Sequence, residues 1–264
     1  MIDSLSINIL SGKFIIGMLM FIRVMGLMVS SPLWSNSAII PQMKVFLAVI
    51  FAVFMTEPFW KEQPVIDFHL WNMVLISLKE FMVGIAIGFS AKMVFWGARF
   101  AGGIIDFDMG YQTATLFDQG VSPTLVGEIK YLAVLMVFLI LNGHHFVLQA
   151  LWASIRAVPI TTFTMTDSTM QLLIKISLSV FLIGVKLAAP VLVALFLVNL
   201  ALALLARVAP QTNIFIMSFQ LKIVVGLLVL LASVPLFIFV SKIFLENMET
   251  QVMQLILSLN PARV

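Results

Sequence analysis

Long apolar blocks cover approximately Ile9–Val29, Val45–Met55, Leu70–Ile105, Tyr131–Ile155, Leu172–Ala206 and Ile214–Leu245. The pieces between them are Ser30–Gln42, Glu57–Asp67, Asp106–Pro123, Pro159–Asp167 and Pro210–Asn213, where prolines, glycines and short polar residues turn the chain. A helix crosses the hydrocarbon of a bilayer with about 20 apolar residues. Tyr131–Ile155, Leu187–Ala206 and Ile223–Ser241 reach that length without one formal charge. The pattern predicts an all-α, polytopic membrane-type protein of long kinked helices and helical hairpins.

Three blocks, Leu70–Ile105, Leu172–Ala206 and Ile214–Leu245, exceed what one upright span needs. At 1.5 Å per residue across about 30 Å of hydrocarbon, each must tilt, break into a hairpin or project beyond the bilayer. Pro190 and Pro235 mark expected kinks, because proline lacks the helical N–H and its ring crowds the preceding turn. Positive charge does not gather on alternate loops, so no orientation follows from it.

Composition removes the soluble alternatives. Hydrophobic residues make up 62% of the 264 positions and charged residues 10%, against roughly 25% charged in ordinary soluble domains. Such a surface needs lipid or equally apolar partner chains around it. The net charge of +3 comes from scattered cations, which excludes the basic stripe of a nucleic-acid binder. There are no cysteines, hence no disulfides or thiolate metal sites. The start Met1-Ile2-Asp3-Ser4 lacks the basic residues of a cleavable signal peptide, so Met1 is expected to remain.

Charges inside the apolar blocks are the next signal. Arg23, Lys79, Glu80, Lys92, Arg99, Lys175, Lys186 and Lys222 sit there, at about 2.5–3.5 kcal/mol each if held at mid-bilayer. They are expected to face other helices, water or the interface. Lys92, Arg99 and Asp106 repeat every seven residues and so share one side of a helix. Lys175 and Lys186 lie three turns apart, with Ser179 between them. These stripes either line an aqueous path, meet acids of a partner, or simply snorkel to headgroups. Gly84 and Gly88 form a GxxxG step, continued by Ala98 and Gly102, which predicts close helix packing.

Catalytic chemistry finds little footing. His144 and His145 are adjacent, about 100° apart on a helix, and cannot share one metal as an i, i+4 pair does. No GxSxG, HExxH, Walker A or GxGxxG pattern occurs. No catalytic, cofactor or metal residues are therefore expected. The stretch from Gly102-Gly103 through Asp106, Asp108, Asp118, Gly120 and Pro123 is long for an unstructured connection. It is either an exposed link or a re-entrant element inside a channel.

Four passages together resemble the FliR/SctT family of type III export gates. They are Phe21-Ile22-Arg23 to Ser31-Pro32 with Ile40-Pro41; Glu80 through Gly84 and Gly88 to Ala101-Gly102; Asn142-Gly143-His144-His145 with Ser154 and Pro159; and Ala189-Pro190 through Arg207-Val208-Ala209-Pro210-Gln211-Thr212-Asn213-Ile214-Phe215. Within the last, Pro210, Gln211 and Asn213 carry the family motif, while Thr212 and Gln220 depart from the family's usual methionine and proline. Asn142-Gly143-His144-His145 looks more like the flagellar branch than the injectisome branch.

The resemblance implies a non-enzymatic subunit of the flagellar export gate in the bacterial inner membrane. There it would pack with FliP and FliQ in a hetero-oligomer that passes unfolded flagellar proteins, in contact with FlhB and near FlhA. An injectisome homologue, or less readily a self-contained transporter, is the alternative. The resemblance also implies one export-gate domain over residues 1–264, FliP-like to about 170 and built of FliQ-like hairpins from 171 on. In the family the loop after the glycine pair helps plug the channel. Carried onto this chain, the plug comprises Gly102, Gly103, Asp106, Phe107, Asp108, Met109, Gly110, Leu116, Asp118 and Pro123. Glycines 102, 103 and 110 would fold it tightly, and Phe107, Met109 and Leu116 would seal it. Arg23, Lys79, Glu80, Arg99, Lys186 and Arg207 are the expected polar contacts between subunits.

Overall fold

A computed structural model describes residues 2–36, 39–60, 69–111, 124–209, 211 and 214–260. Its described residues form eight α-helices and no strand. In chain order they are α1 (Ile2–Ser30), α2 (Pro41–Phe59), α3 (Leu70–Asp108), α4 (Leu125–Ile140), α5 (Gly143–Ala157), α6 (Asp167–Val208), α7 (Ile214–Ala232) and α8 (Val234–Ser258). Four are long and apolar enough to cross a membrane, or up to six spans if each of two bent pairs counts as one.

The helix ends follow local chemistry. Pro32 comes just past the end of α1, where Ser31 N–H still donates to the Leu27 carbonyl at 2.8 Å. Pro41 opens α2 at a position whose N–H would have no helical partner anyway. Tyr131–Ile155, expected as one uncharged span, is instead bent by 71° between α4 and α5. The cause is Asn142, held in the left-handed region at φ 58°, a conformation that asparagine tolerates better than other side chains. The third overlong block breaks as well. α7 and α8 meet at 60° around Ser233, just before Pro235, which cannot donate into the preceding turn.

The other two overlong blocks do not break. α3 has 39 residues and α6 has 42, roughly 58 and 63 Å of helix. Pro190 lies inside α6 without interrupting it. Only 28% of the most apolar window of α6 is buried within the chain. Leu178, Phe181, Val193, Phe196 and Leu197 are among the side chains it leaves open.

The chain forms two compact units, each discontinuous in sequence. The first combines residues 1–93, 142–177 and 247–264. Leu19 and Leu27 of α1, Phe59 of α2, Val83 and Ile87 of α3, Leu151 of α5 and Leu255 of α8 are buried in it. Phe59 meets Trp152 edge-on, with ring centroids 4.7 Å apart. The second unit combines residues 94–141 and 178–246. Phe95 makes edge contacts there with Tyr131 at 5.9 Å and Phe138 at 5.4 Å, above buried Val134, Leu187, Val191 and Leu195.

Candidate functional site

Each unit contains a polar centre that the sequence alone does not assemble. In the first unit, Arg23 of α1 and Glu80 of α3 are 1% and 0% exposed. Arg23 Nε donates to Glu80 Oε2 at 2.6 Å, and Nη2 stands equally close to the same oxygen. Nη1 donates to the Ser154 carbonyl at 3.0 Å, and Nη2 to the Val158 carbonyl at 2.8 Å. Both carbonyls belong to the C-terminal end of α5, where the Ser154 carbonyl also accepts the Val158 N–H at 2.8 Å and the last carbonyls of a helix run out of internal donors. The Thr161 N–H reaches Glu80 Oε1 at 3.4 Å. One guanidinium thus neutralises a carboxylate and caps a helix, which is the fork geometry that arginine offers and lysine does not.

Glycines make this centre possible. A Cβ on Gly84 would collide with the Arg23 carbonyl oxygen and lie 2.9 Å from Leu27 N. One on Gly88 would collide with Ser30 Oγ and lie 2.8 Å from Ser31 N, and one on Gly26 would collide with the Phe81 carbonyl. The GxxxG step therefore packs against α1 of the same chain, as the spacing leads one to expect of close helix contacts. Gly26, its counterpart, stands alone in sequence and carries no repeat that would signal it.

The second unit holds the start of the glycine-led segment. Asp106 is buried in the last turn of α3. Its Oδ2 accepts from Val126 N at 3.1 Å and Gly127 N at 3.3 Å, and Oδ1 lies 3.2 Å from Val126 N. A Cβ on Gly102 would collide with Gly127 and lie 2.6 Å from the Val126 carbonyl carbon, so the two backbones touch. One turn earlier, Arg99 Nη2 pairs with Glu128 Oε2 at 2.9 Å and lies 4.6 Å from the centre of the Tyr131 ring. Gly110 adopts φ 79°, and its N–H returns to the Phe107 carbonyl at 3.0 Å. Phe107 is 72% exposed, whereas Met109 is buried beside Gly226. Asn199 Nδ2 donates to Asp108 Oδ1 at 3.4 Å.

The remaining predicted residues separate clearly. Lys79, Lys186, Arg207 and Gln211 are exposed. Lys186 Nζ lies 5.8 Å from the centre of the Phe244 ring. Leu116, Asp118, Pro123, Pro210 and Asn213 lie outside the described residues. The heptad stripe finds three separate partners: Lys92 donates to Ser35 Oγ at 2.8 Å, Arg99 pairs with Glu128, and Asp106 takes the start of α4. Arg23 and Glu80, expected to meet other subunits, are held by each other inside this chain. Lys130 immediately precedes the uncharged stretch that begins at Tyr131, so the hydrophobic pattern gives it no role. It is buried, donates to the Leu187 carbonyl at 3.3 Å and lies 4.2 Å from the centre of the Phe237 ring, joining α4, α6 and α8 within the second unit. The His144 and His145 rings lie 4.2 Å apart. Among the described residues no three His, Asp or Glu side chains group as metal ligands would.

Comparison with known proteins places these centres in a family. The profile of "Bacterial export proteins, family 1" matches residues 14–248, a segment that contains Arg23, Glu80, Asp106 and every glycine contact described above. The chain belongs to this family. It is 30% identical over 240 residues to "Flagellar biosynthetic protein FliR" of Bacillus subtilis (strain 168), covering 88% of this chain and 92% of the relative. The protein of the same name from Escherichia coli (strain K12) is 32% identical over 220 residues, covering 81% and 82%. "Yop proteins translocation protein T" of Yersinia pestis is 30% identical over 172 residues, covering 64% and 66%. The family thus includes proteins named for flagellar biosynthesis and for translocation. This member brings to it a strongly apolar, all-helical chain with four to six candidate spans.

Proposed function

We propose that this chain is a non-enzymatic subunit of the flagellar type III protein export gate in the bacterial inner membrane. In this reading it assembles with FliP and FliQ around the path of unfolded flagellar proteins, in contact with FlhB and near FlhA. The observation that carries the proposal is the open surface of α6. A helix of 42 residues leaves most of its apolar window uncovered and, elsewhere along its length, exposes Lys175 and Lys186. Lipid alone is a poor neighbour for two cations exposed on so apolar a helix, whereas a partner helix with carboxylates suits them. Arg23, Glu80 and Asp106 are already satisfied by groups of this chain, which supports a structural role for them. Flagellar use is favoured over injectisome use because the flagellar relatives match more of the chain, 79–88% against 64%. We keep the division near residue 170 into FliP-like and FliQ-like parts as a proposal about ancestry; the compact units follow a different, discontinuous division.

The same reading makes the segment that follows α3 the plug of the channel. Of the plug residues, Gly102, Gly103, Asp106, Phe107, Asp108, Met109 and Gly110 are described, with Phe107 exposed at the end of α3 and Gly110 in a left-handed turn. Replacing residues 112–123 by a short Gly-Ser linker is expected to raise ion leak through the assembled complex at least tenfold. Conductance of vesicles carrying the complex measures this. A leak equal to that of the wild type would overturn the plug reading.

A further inference from the structure

We infer that Asp106 is a positioning residue that caps α4 from the end of α3 and so fixes the turn Phe107–Gly110 against the start of α4. The functional consequence drawn below rests on the plug reading; the geometric claim does not.

A helix begins with N–H groups that lack partners inside it, and an N-cap side chain ordinarily accepts from the second or third of them. Thr124 occupies the N-cap position of α4 but makes no capping hydrogen bond with its side chain. The second and third residues of α4 are Val126 and Gly127, and these are the two N–H groups that the Asp106 carboxylate accepts. The cap therefore comes from twenty residues upstream, on another helix. It is a carboxylate, the group that a helix N-terminus favours most. Each of its oxygens is engaged, and the side chain is buried.

The contact depends on distance that only glycine allows. With any side chain at Gly102, α3 would be pushed off Gly127, and the carboxylate would lose both donors. Arg99 and Glu128 add an ion pair seven residues earlier on the same face of α3. Half-exposed as it is, that pair adds little on its own, so the buried carboxylate is the stronger hold. Phe107 follows Asp106 directly and points outward. Fixing Asp106 thus fixes where Phe107 projects.

Cysteine chemistry tests this cleanly, because the chain has no cysteine of its own. A Cβ on Gly103 would stand 3.6 Å from Thr124 Cγ2, with Thr124 Cβ beyond 4 Å, at the outer part of disulfide reach. In the G103C/T124C variant of the assembled complex, we expect mild oxidation to close the bridge rapidly. Adding D106A should slow closure at least tenfold, and D106N, which keeps one acceptor oxygen, should fall between. D106A without the cysteines should raise ion leak towards the level of the 112–123 replacement, and oxidising the bridge in D106A should bring the leak back down. Cross-linking as fast with D106A or D106N added as in the G103C/T124C parent overturns the inference, whatever the conductance. Slowed cross-linking with a tight linker variant keeps the capping role and removes the plug reading instead. Slowed cross-linking with a leaky linker variant but a tight D106A overturns the functional half alone. If D106A fails to assemble, D106N carries the same comparison.

Discussion

Arg23→Leu is expected to remove most of the folded protein recovered from membranes, while the double variant Arg23→Leu/Glu80→Leu recovers a large part of it. Arg23 and Glu80 are among the most deeply buried charged side chains described. With leucine at position 23, the Glu80 carboxylate stays inside the first unit, with the Thr161 N–H as its remaining donor among the described residues. Breaking a buried ion pair from one side costs about 3–5 kcal/mol. The Val158 carbonyl loses its guanidinium donor too, at about 1–3 kcal/mol for a buried group left unpaired, while the Ser154 carbonyl keeps the Val158 N–H. That is comparable to the net stability of a domain, about 5–15 kcal/mol. Removing both charges leaves the Val158 carbonyl without its guanidinium donor but no buried ion, so the double variant is the milder one. The monodisperse fraction in mild detergent and its thermal midpoint measure the series. Equal losses in the single and double variants would mean that the ion pair is not what holds α1 to α3.

Gly84→Ala and Gly12→Ala should act in opposite directions, although both replace a helical glycine. On Gly12 a new Cβ meets nothing within 4 Å, and alanine gains roughly 1 kcal/mol over glycine inside a helix. On Gly84 the Cβ falls onto the Arg23 carbonyl oxygen and towards Leu27 N. Both are backbone atoms, so no rotamer change relieves the clash and α1 must move away from α3. Overpacking of this kind costs about 1–3 kcal/mol, and here it also moves Arg23, whose own carbonyl is the atom struck. Thermal midpoints of the two variants in the same detergent decide the matter. A Gly84→Ala protein as stable as Gly12→Ala would contradict the close α1–α3 approach.

What the sequence revealed divides by range. Properties carried by consecutive residues were readable: the helical blocks, the break near Pro235 and the tight packing of Gly84 and Gly88. Asn142 was readable in principle, since Asn-Gly within an apolar run is a turn signal, but the absence of charge from 131 to 155 outweighed it. Pairings across the chain were not readable. Arg23 and Glu80 are 57 positions apart, and a lone arginine in an apolar helix looks the same whether its acid comes from its own chain or a neighbour's. Asp106 shows the same limit. Its seven-residue spacing from Arg99 suggested a continuous stripe, yet each member of that stripe turns to its own local partner. The exposed Lys79, Lys186 and Arg207 remain proposed intersubunit contacts, which their place at the surface of the chain allows.

Native mass spectrometry of the chain, co-expressed with FliP- and FliQ-like proteins and extracted in mild detergent, tests the central claim most directly. The export-gate reading predicts one defined hetero-oligomer that contains this chain. It also predicts that Lys79→Leu, Lys186→Leu and Arg207→Leu together lower the yield of that complex several-fold while membrane insertion is unchanged. A stable monomer or homo-oligomer that ignores those partners would contradict it.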